Sequence, residues 1–149
     1  MGSLYSDRVL KHKRDPQNFG SLPEHTHTCE GINALCGDRL RVDVDYREDR
    51  VHALRFNGES CALVIASASI MSGMVTGKTR RAIETLATRF AMYMEGDRDN
   101  EAALGELQAF EPLRRHVTRR KCAMLPWATL RAALVGAVVA TTEQASLHE

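Results

Sequence analysis

Cysteine is the residue type best suited to chemistry in this sequence, and there are four: Cys29, Cys36, Cys61 and Cys122. In "LCGDRL", Cys36 and Asp38 place a thiolate and a carboxylate on either side of Gly37, whose freedom lets the backbone turn until both reach one point. Sulfur and carboxylate oxygen are both zinc ligands. "GESCAL" puts Cys61 in the first turn of a predicted helix, where unpaired N–H groups and the helix dipole favour an anionic sulfur. "RRKCAM" puts Cys122 near the start of another predicted helix, behind Arg119, Arg120 and Lys121. Three sulfurs and one oxygen make one tetrahedral shell. The spacings, 61 − 36 = 25 and 122 − 61 = 61, are unlike zinc fingers or the tight runs of ferredoxins, so such a site would be made by tertiary folding. The bland alternative is three buried thiols and a turn aspartate. Cys29 reads as an incidental loop cysteine rather than a resolving thiol, and His25 and His27 as solvated histidines rather than a metal pair.

The elements that must position these residues follow from periodicity. Residues 4–13 carry Leu4, Tyr5, Val9 and Leu10 near helical spacing, and 14–38 read as a long loop. "RLRVDVDY" alternates as a half-buried strand, "REDR" is the turn, and "VHALRFNGES" is a second strand. From Cys61 a helix rich in Ala, Ser and Gly runs to Gly77. Ile83, Leu86, Phe90 and Met94 mark the next helix, which stops at Gly96. A polar connection, a short helix and a break at Pro112 precede a last helix running from Cys122 or Pro126 to about Val139, with Pro126 in its first turn. Residues 141–149 should fray. The expected fold is one α+β domain over 1–149, a small antiparallel sheet with helices packed on one side.

Composition limits the function. The 149 residues are 44% hydrophobic and 26% charged, enough to bury a core without disulfide staples. Lys plus Arg is 20 against 19 Asp plus Glu, a formal charge of +1, so nucleic acid is not an expected partner. The opening residues lack a secretory h-region, and the uncharged run 132–142 is about half of the ~20 residues of a membrane span, so no membrane partner is expected. The chain reads as cytoplasmic, where cysteines serve as buried thiols, metal ligands or reactive groups.

At this point the motifs carry a resemblance. "ACGD" is answered here by "LCGD"; with "GxxC" before a small-residue helix and a third cysteine near the last helix, the chain resembles the IscU/NifU N-terminal family of iron-sulfur cluster assembly proteins. His12, Pro16, Asn18, Gly20 and Leu22 resemble its "H...P.N.G.L" segment, and "CALVIASASIMS" its "C.....AS.S.M" helix. Lys121 stands where IscU-type scaffolds have a histidine, and an "LPPVK" stretch is missing. "RRKCAMLPW" resembles the "R.KCATLSW" of the SufU branch, and Leu104, Gly105, Leu107 and Ala109 answer that branch's insertion.

The resemblance implies zinc held by Cys36, Asp38, Cys61 and Cys122. It also implies a pyridoxal-phosphate cysteine desulfurase of the SufS type as partner, with Cys36 accepting its persulfide sulfur. Arg119 and Lys121 are candidates for steadying a thiolate or meeting the desulfurase. The alternative is a scaffold that assembles a [2Fe-2S] cluster on Cys36, Cys61 and Cys122 and passes it to apo-proteins. A purely structural zinc module is disfavoured, since it would gain nothing from an aspartate and cationic flanks.

Overall fold

Ser6 opens the first helix, α1 (Asp7–Arg14), by accepting a hydrogen bond from the Val9 N–H, which satisfies one of the unpaired donors of a helix start. The computed structural model describes residues 4–99 and 101–142. After α1 come β1 (His27–Asn33), β2 (Asp38–Arg47), β3 (Arg50–Asn57), α2 (Ala62–Val75), α3 (Arg80–Met94), a 3-10 segment (Glu101–Arg115), α4 (Val117–Leu134) and β4 (Val139–Thr141).

The sheet runs β3-β2-β1-β4. Its first three strands are antiparallel, the β2–β3 pair as expected and β1 in addition. The fourth is parallel to β1, so the sheet is mixed. Gly136, at φ 88, explains the difference. It ends α4 earlier than the apolar run suggested, with the Ala137 N–H reaching back to the Ala132 carbonyl. The freed residues extend beside β1, and Thr141, expected in the tail, is in β4. The rest of the expected fraying, 143–149, lies outside the described residues.

β1 falls inside the stretch expected to be a loop. Cys29, Gly31 and Asn33 alternate inward with Thr28, Glu30 and Ile32 less buried, the period-two pattern of a strand. Gly31 looked like a turn signal but serves packing, because a Cβ there would run into Thr129 of α4. In the β2–β3 hairpin, Glu48 and Asp49 both take positive φ, the two-residue turn expected of "REDR".

Leu40, Val42 and Val44 of β2 face the helices, while Arg39 and Arg41 face outward. α4 lies across β1 and β2, and α2 is wedged between α1 and α4. That wedge needs small residues. Ala66, Ser67, Ala68, Ser69 and Ser72 of α2 are all buried. The 3-10 segment packs on α3 and α4 through Leu104, Leu107, Phe110 and Leu113, and Phe90 stands 5.9 Å from the Phe110 and Trp127 rings. Its break is at Gly105 (φ 52, ψ −125), not at Pro112, because only glycine holds that backbone easily.

His12 ties three elements together. Its Nδ1 is 2.7 Å from Ser69 Oγ on α2, and its Nε2 is 3.0 Å from Glu106 Oε1 on the 3-10 segment. Ser69 Oγ also accepts the Gln17 N–H. A Ser, His and Glu in hydrogen-bonded series suggest a nucleophile, but Ser69 is fully enclosed and the set works as a clasp.

Candidate metal centre

The β1–β2 turn, the start of α2 and the side of α4 meet at one point. The β1–β2 connection presents Cys36, whose N–H reaches the Asn33 carbonyl, and Gly37 at φ 70 turns the chain into β2. Asp38, the first residue of β2, is paired in register with Asn33 and is 2% exposed. Its Oδ1 accepts the Cys61 N–H at 2.8 Å, so the carboxylate binds the start of α2. Cys61 is the N-cap residue of α2, at the helix start as expected.

Cys122 is placed differently from the expectation. α4 begins at Val117, more than a turn before Cys122, so the sulfur is in the helix interior, beyond the reach of the terminal dipole. Pro126 is also interior. It removes the N–H that would serve the Cys122 carbonyl, and beside it Ser67 of α2 donates to the Ala123 carbonyl at 2.6 Å. Tertiary contacts therefore carry this helix past a proline that sequence reasoning took as a start. Of the three expected cations only Arg119 acts on this sulfur: the Cys122 sulfur, then Tyr5, push its guanidinium pKa up, whereas Arg120 donates to the Met94 and Arg114 carbonyls.

The donor atoms converge. Cys122 Sγ is 3.7 Å from Cys36 Sγ and 3.7 Å from Asp38 Oδ2, and Cys61 Sγ is 3.9 Å from the same oxygen. Ligand atoms of Cys36, Asp38 and Cys122 all lie within 4.8 Å of one another, with Cys61 at the side of this triad. Zinc–sulfur bonds of about 2.3 Å and zinc–oxygen bonds of about 2.1 Å set tetrahedral donors about 3.5 to 3.8 Å apart. The separations of Cys122 Sγ from Cys36 Sγ and Asp38 Oδ2 fit a metal of that kind, while Cys61, outside the triad, would have to draw in to complete the shell.

The sulfurs differ in setting. Cys122 is fully buried while Cys36 and Cys61 are half-buried. The neighbouring Cys122 thiol lowers the Cys61 thiol to about 7 against the effect of burial, with the Val64 and Leu63 N–H groups of α2 assisting. The neighbouring Cys61, then burial, push the Cys122 thiol up. Metal binding requires such thiols to give up their protons, so a cation at this point would take the place of the protons they hold.

Other predicted residues lie elsewhere. Lys121 lines a groove of about 1040 Å³ bounded by α3, α4 and β4. Cys29 packs with Ala133 and Ala140, and burial, then Glu30, push its thiol up to about 11. His25 Nδ1 is 2.7 Å from the Leu22 carbonyl, and His27 Nδ1 is 2.7 Å from Thr26 Oγ1. Sequence reasoning missed Asn33, whose Nδ2 donates to Asp38 Oδ2 at 3.3 Å and to Cys122 Sγ at 3.6 Å. Its place just ahead of "CGD" was the available signal, and reading that stretch as a loop concealed it.

The NifU-like N-terminal domain family matches residues 4–136, and the chain belongs to this family of iron-sulfur cluster assembly proteins. It is similar to the zinc-dependent sulfurtransferase SufU of Bacillus subtilis, 30% identical over 131 residues that cover 87% of this chain and 88% of that protein. It is also similar to the iron-sulfur cluster assembly scaffold protein IscU of Streptococcus pyogenes, 28% identical over 90% of this chain and 84% of that one. A crystal structure from Fervidobacterium islandicum, of a protein proposed as an iron-sulfur cluster assembly scaffold for the SUF system, superposes with a TM-score of 0.83 at 27% identity. It covers 88% of this chain and 96% of that one. Among the described residues no helix is long and apolar enough to cross a membrane.

Proposed function

We propose that this chain is a sulfur acceptor in iron-sulfur cluster assembly, taking persulfide sulfur on Cys36 from a SufS-type cysteine desulfurase in the cytoplasm. Cys36, Asp38, Cys61 and Cys122 would hold zinc, which keeps thiols deprotonated at neutral pH and shields them until needed. The observation that carries this reading is the cluster of Cys36, Asp38 and Cys122, with ligand atoms all within 4.8 Å of one another, and the approach of Cys61 Sγ to the Asp38 carboxylate at 3.9 Å. The likeness to a zinc-dependent sulfurtransferase supports it.

The transfer itself is simple to balance. The Cys36 thiolate attacks the terminal sulfur of the donor's persulfide, and the donor's S–S bond breaks. The donor cysteine leaves as a thiolate, and Cys36 carries the new S–SH group. Cys36 suits this role because it is half-buried on a turn beside Leu35, which is 66% exposed, whereas Cys122 is enclosed. Arg119 would steady the Cys122 sulfur, and Lys121, on the groove side, would meet the partner.

A second reading is a scaffold that builds a [2Fe-2S] cluster on Cys36, Cys61 and Cys122 for delivery to apo-proteins. The three thiols at one point and the likeness to an IscU favour it. Desulfurase turnover with and without this chain separates the two. Faster turnover with one added sulfur atom on Cys36, located by peptide mass spectrometry, supports the acceptor, while unchanged turnover with no sulfur on Cys36 would refute it.

A further inference from the structure

Asn33 is the last residue of β1 and 1% exposed. One amide group touches two members of the proposed shell, donating from Nδ2 to the Asp38 carboxylate and to the Cys122 sulfur. At its other end, Oδ1 accepts a hydrogen bond from Thr142 Oγ1 at 3.4 Å, and Thr142 is 3% exposed. These neighbours orient the amide: a carboxylate and a thiolate both require a donor, and only the NH₂ end supplies one.

We propose that Asn33 is a positioning residue of the site, holding Asp38 and Cys122 in ligating geometry so that Cys36 is the sulfur free to leave. This rests on the zinc-bound acceptor reading. Asn33 pairs in register with Asp38 across β1 and β2, so its amide stands on the rigid ladder and not on the turn that carries Cys36. An N–H donated to a thiolate draws charge from the sulfur, which weakens it as a base and as a nucleophile while leaving it a ligand. Cys36 Sγ lies 3.7 Å from Cys122 Sγ, and the bond from Asn33 reaches Cys122. Enclosure and the amide thus keep Cys122 in place, and the half-buried Cys36 is left to react. Thr142 directly follows β4, so the parallel strand at the sheet edge braces the same amide. Hydrogen-bond partners of metal ligands commonly change metal affinity by about 10- to 100-fold when removed.

The test loads the full chain with cobalt(II), whose sulfur-to-metal charge-transfer band reports thiolate electron density, and measures zinc affinity against a chelating indicator. Asn33→Leu is expected to weaken zinc binding by about 10-fold or more and to move the band to lower energy. Thr142→Val should shift both in the same direction by less, and Thr142→Ser should restore them. The Thr142 pair decides the matter if Asn33→Leu does not fold. Unchanged affinity and an unmoved band in Asn33→Leu or Thr142→Val, with wild-type chain binding both metals, would overturn the role of Asn33 alone. Wild-type chain that takes up neither metal would overturn the zinc reading and this inference with it.

Discussion

Cys29 and Cys122 are hidden to the same degree, at 1% and 0% exposure, yet their surroundings make them different groups. Around Cys29, where β1 and β4 meet the end of α4, the neighbours are Ala133 and Ala140. The thiol there donates only a weak hydrogen bond to the Glu30 carbonyl at 3.8 Å, and burial, then the Glu30 charge, push it up to about 11. Around Cys122 the neighbours are Cys36, Asp38, Cys61, Asn33 and Arg119, all able to share a proton, donate a hydrogen bond or make room for a cation. Burial alone does not make a cysteine inert or reactive. The partners enclosed with it decide.

The sharpest way to break this comparison is to exchange its members. Cys36→Ala and Asp38→Ala are each expected to abolish stimulation of the desulfurase, while Cys29→Ala should leave it at the wild-type level in the same turnover assay. Equal loss in all three would make the contrast false. Next in size is Arg119→Ala, expected to lower sulfur transfer by about 10-fold through loss of the positive charge beside the Cys122 sulfur. Lys121→Ala, on the groove side, should lower transfer by less and raise the apparent KM for the desulfurase instead.

Smaller effects sharpen the comparison through the scaffold around it. Gly31→Ala, beside the Cys29 pocket, should destabilise the chain by about 1–3 kcal/mol in urea unfolding, because its new methyl meets Thr129. His12→Ala should cost about 1–3 kcal/mol by opening the Ser69 and Glu106 clasp, with zinc affinity preserved. Alkylation by iodoacetamide separates the two thiol classes by pH. In metal-free chain Cys61, its thiol lowered to about 7, should react with a midpoint near neutrality, whereas Cys29, raised to about 11, should gain reactivity only in strong alkali. Thiolate is the reacting form, so a lowered thiol reacts at lower pH.

How much of this was legible in the sequence varied with the reach of the cause. Local signals worked where the cause was local: the alternation of Leu40, Val42 and Val44, the helical spacing of Ile83, Phe90 and Met94, and the turn freedom of Gly37 all took their expected form. Signals failed where a distant residue supplied the reason. Gly31 resembles a loop glycine until Thr129 is laid against it. Pro126 resembles a helix start, yet α4 runs through it and Ser67 reaches from α2 to the neighbouring carbonyl. β4 and Thr142 were read as a helix end and a tail because the apolar run 132–142 carries no sign of its pairing with β1. For the site, the meeting of Cys36 and Asp38 with Cys122 was readable from residue types, although Cys122 comes from inside α4 and not from its end. The amide of Asn33 was not, since its value depends on an acid five residues ahead and a sulfur contributed from α4.

The measurement that tests the central claim most directly is the zinc, iron and acid-labile sulfide content of chain purified without oxygen, with Cys36→Ala and Cys29→Ala beside it. The account predicts about one zinc per chain and no sulfide, weakened retention in Cys36→Ala and full retention in Cys29→Ala. Iron with matching sulfide, or zinc that survives in Cys36→Ala and is lost in Cys29→Ala, would contradict it.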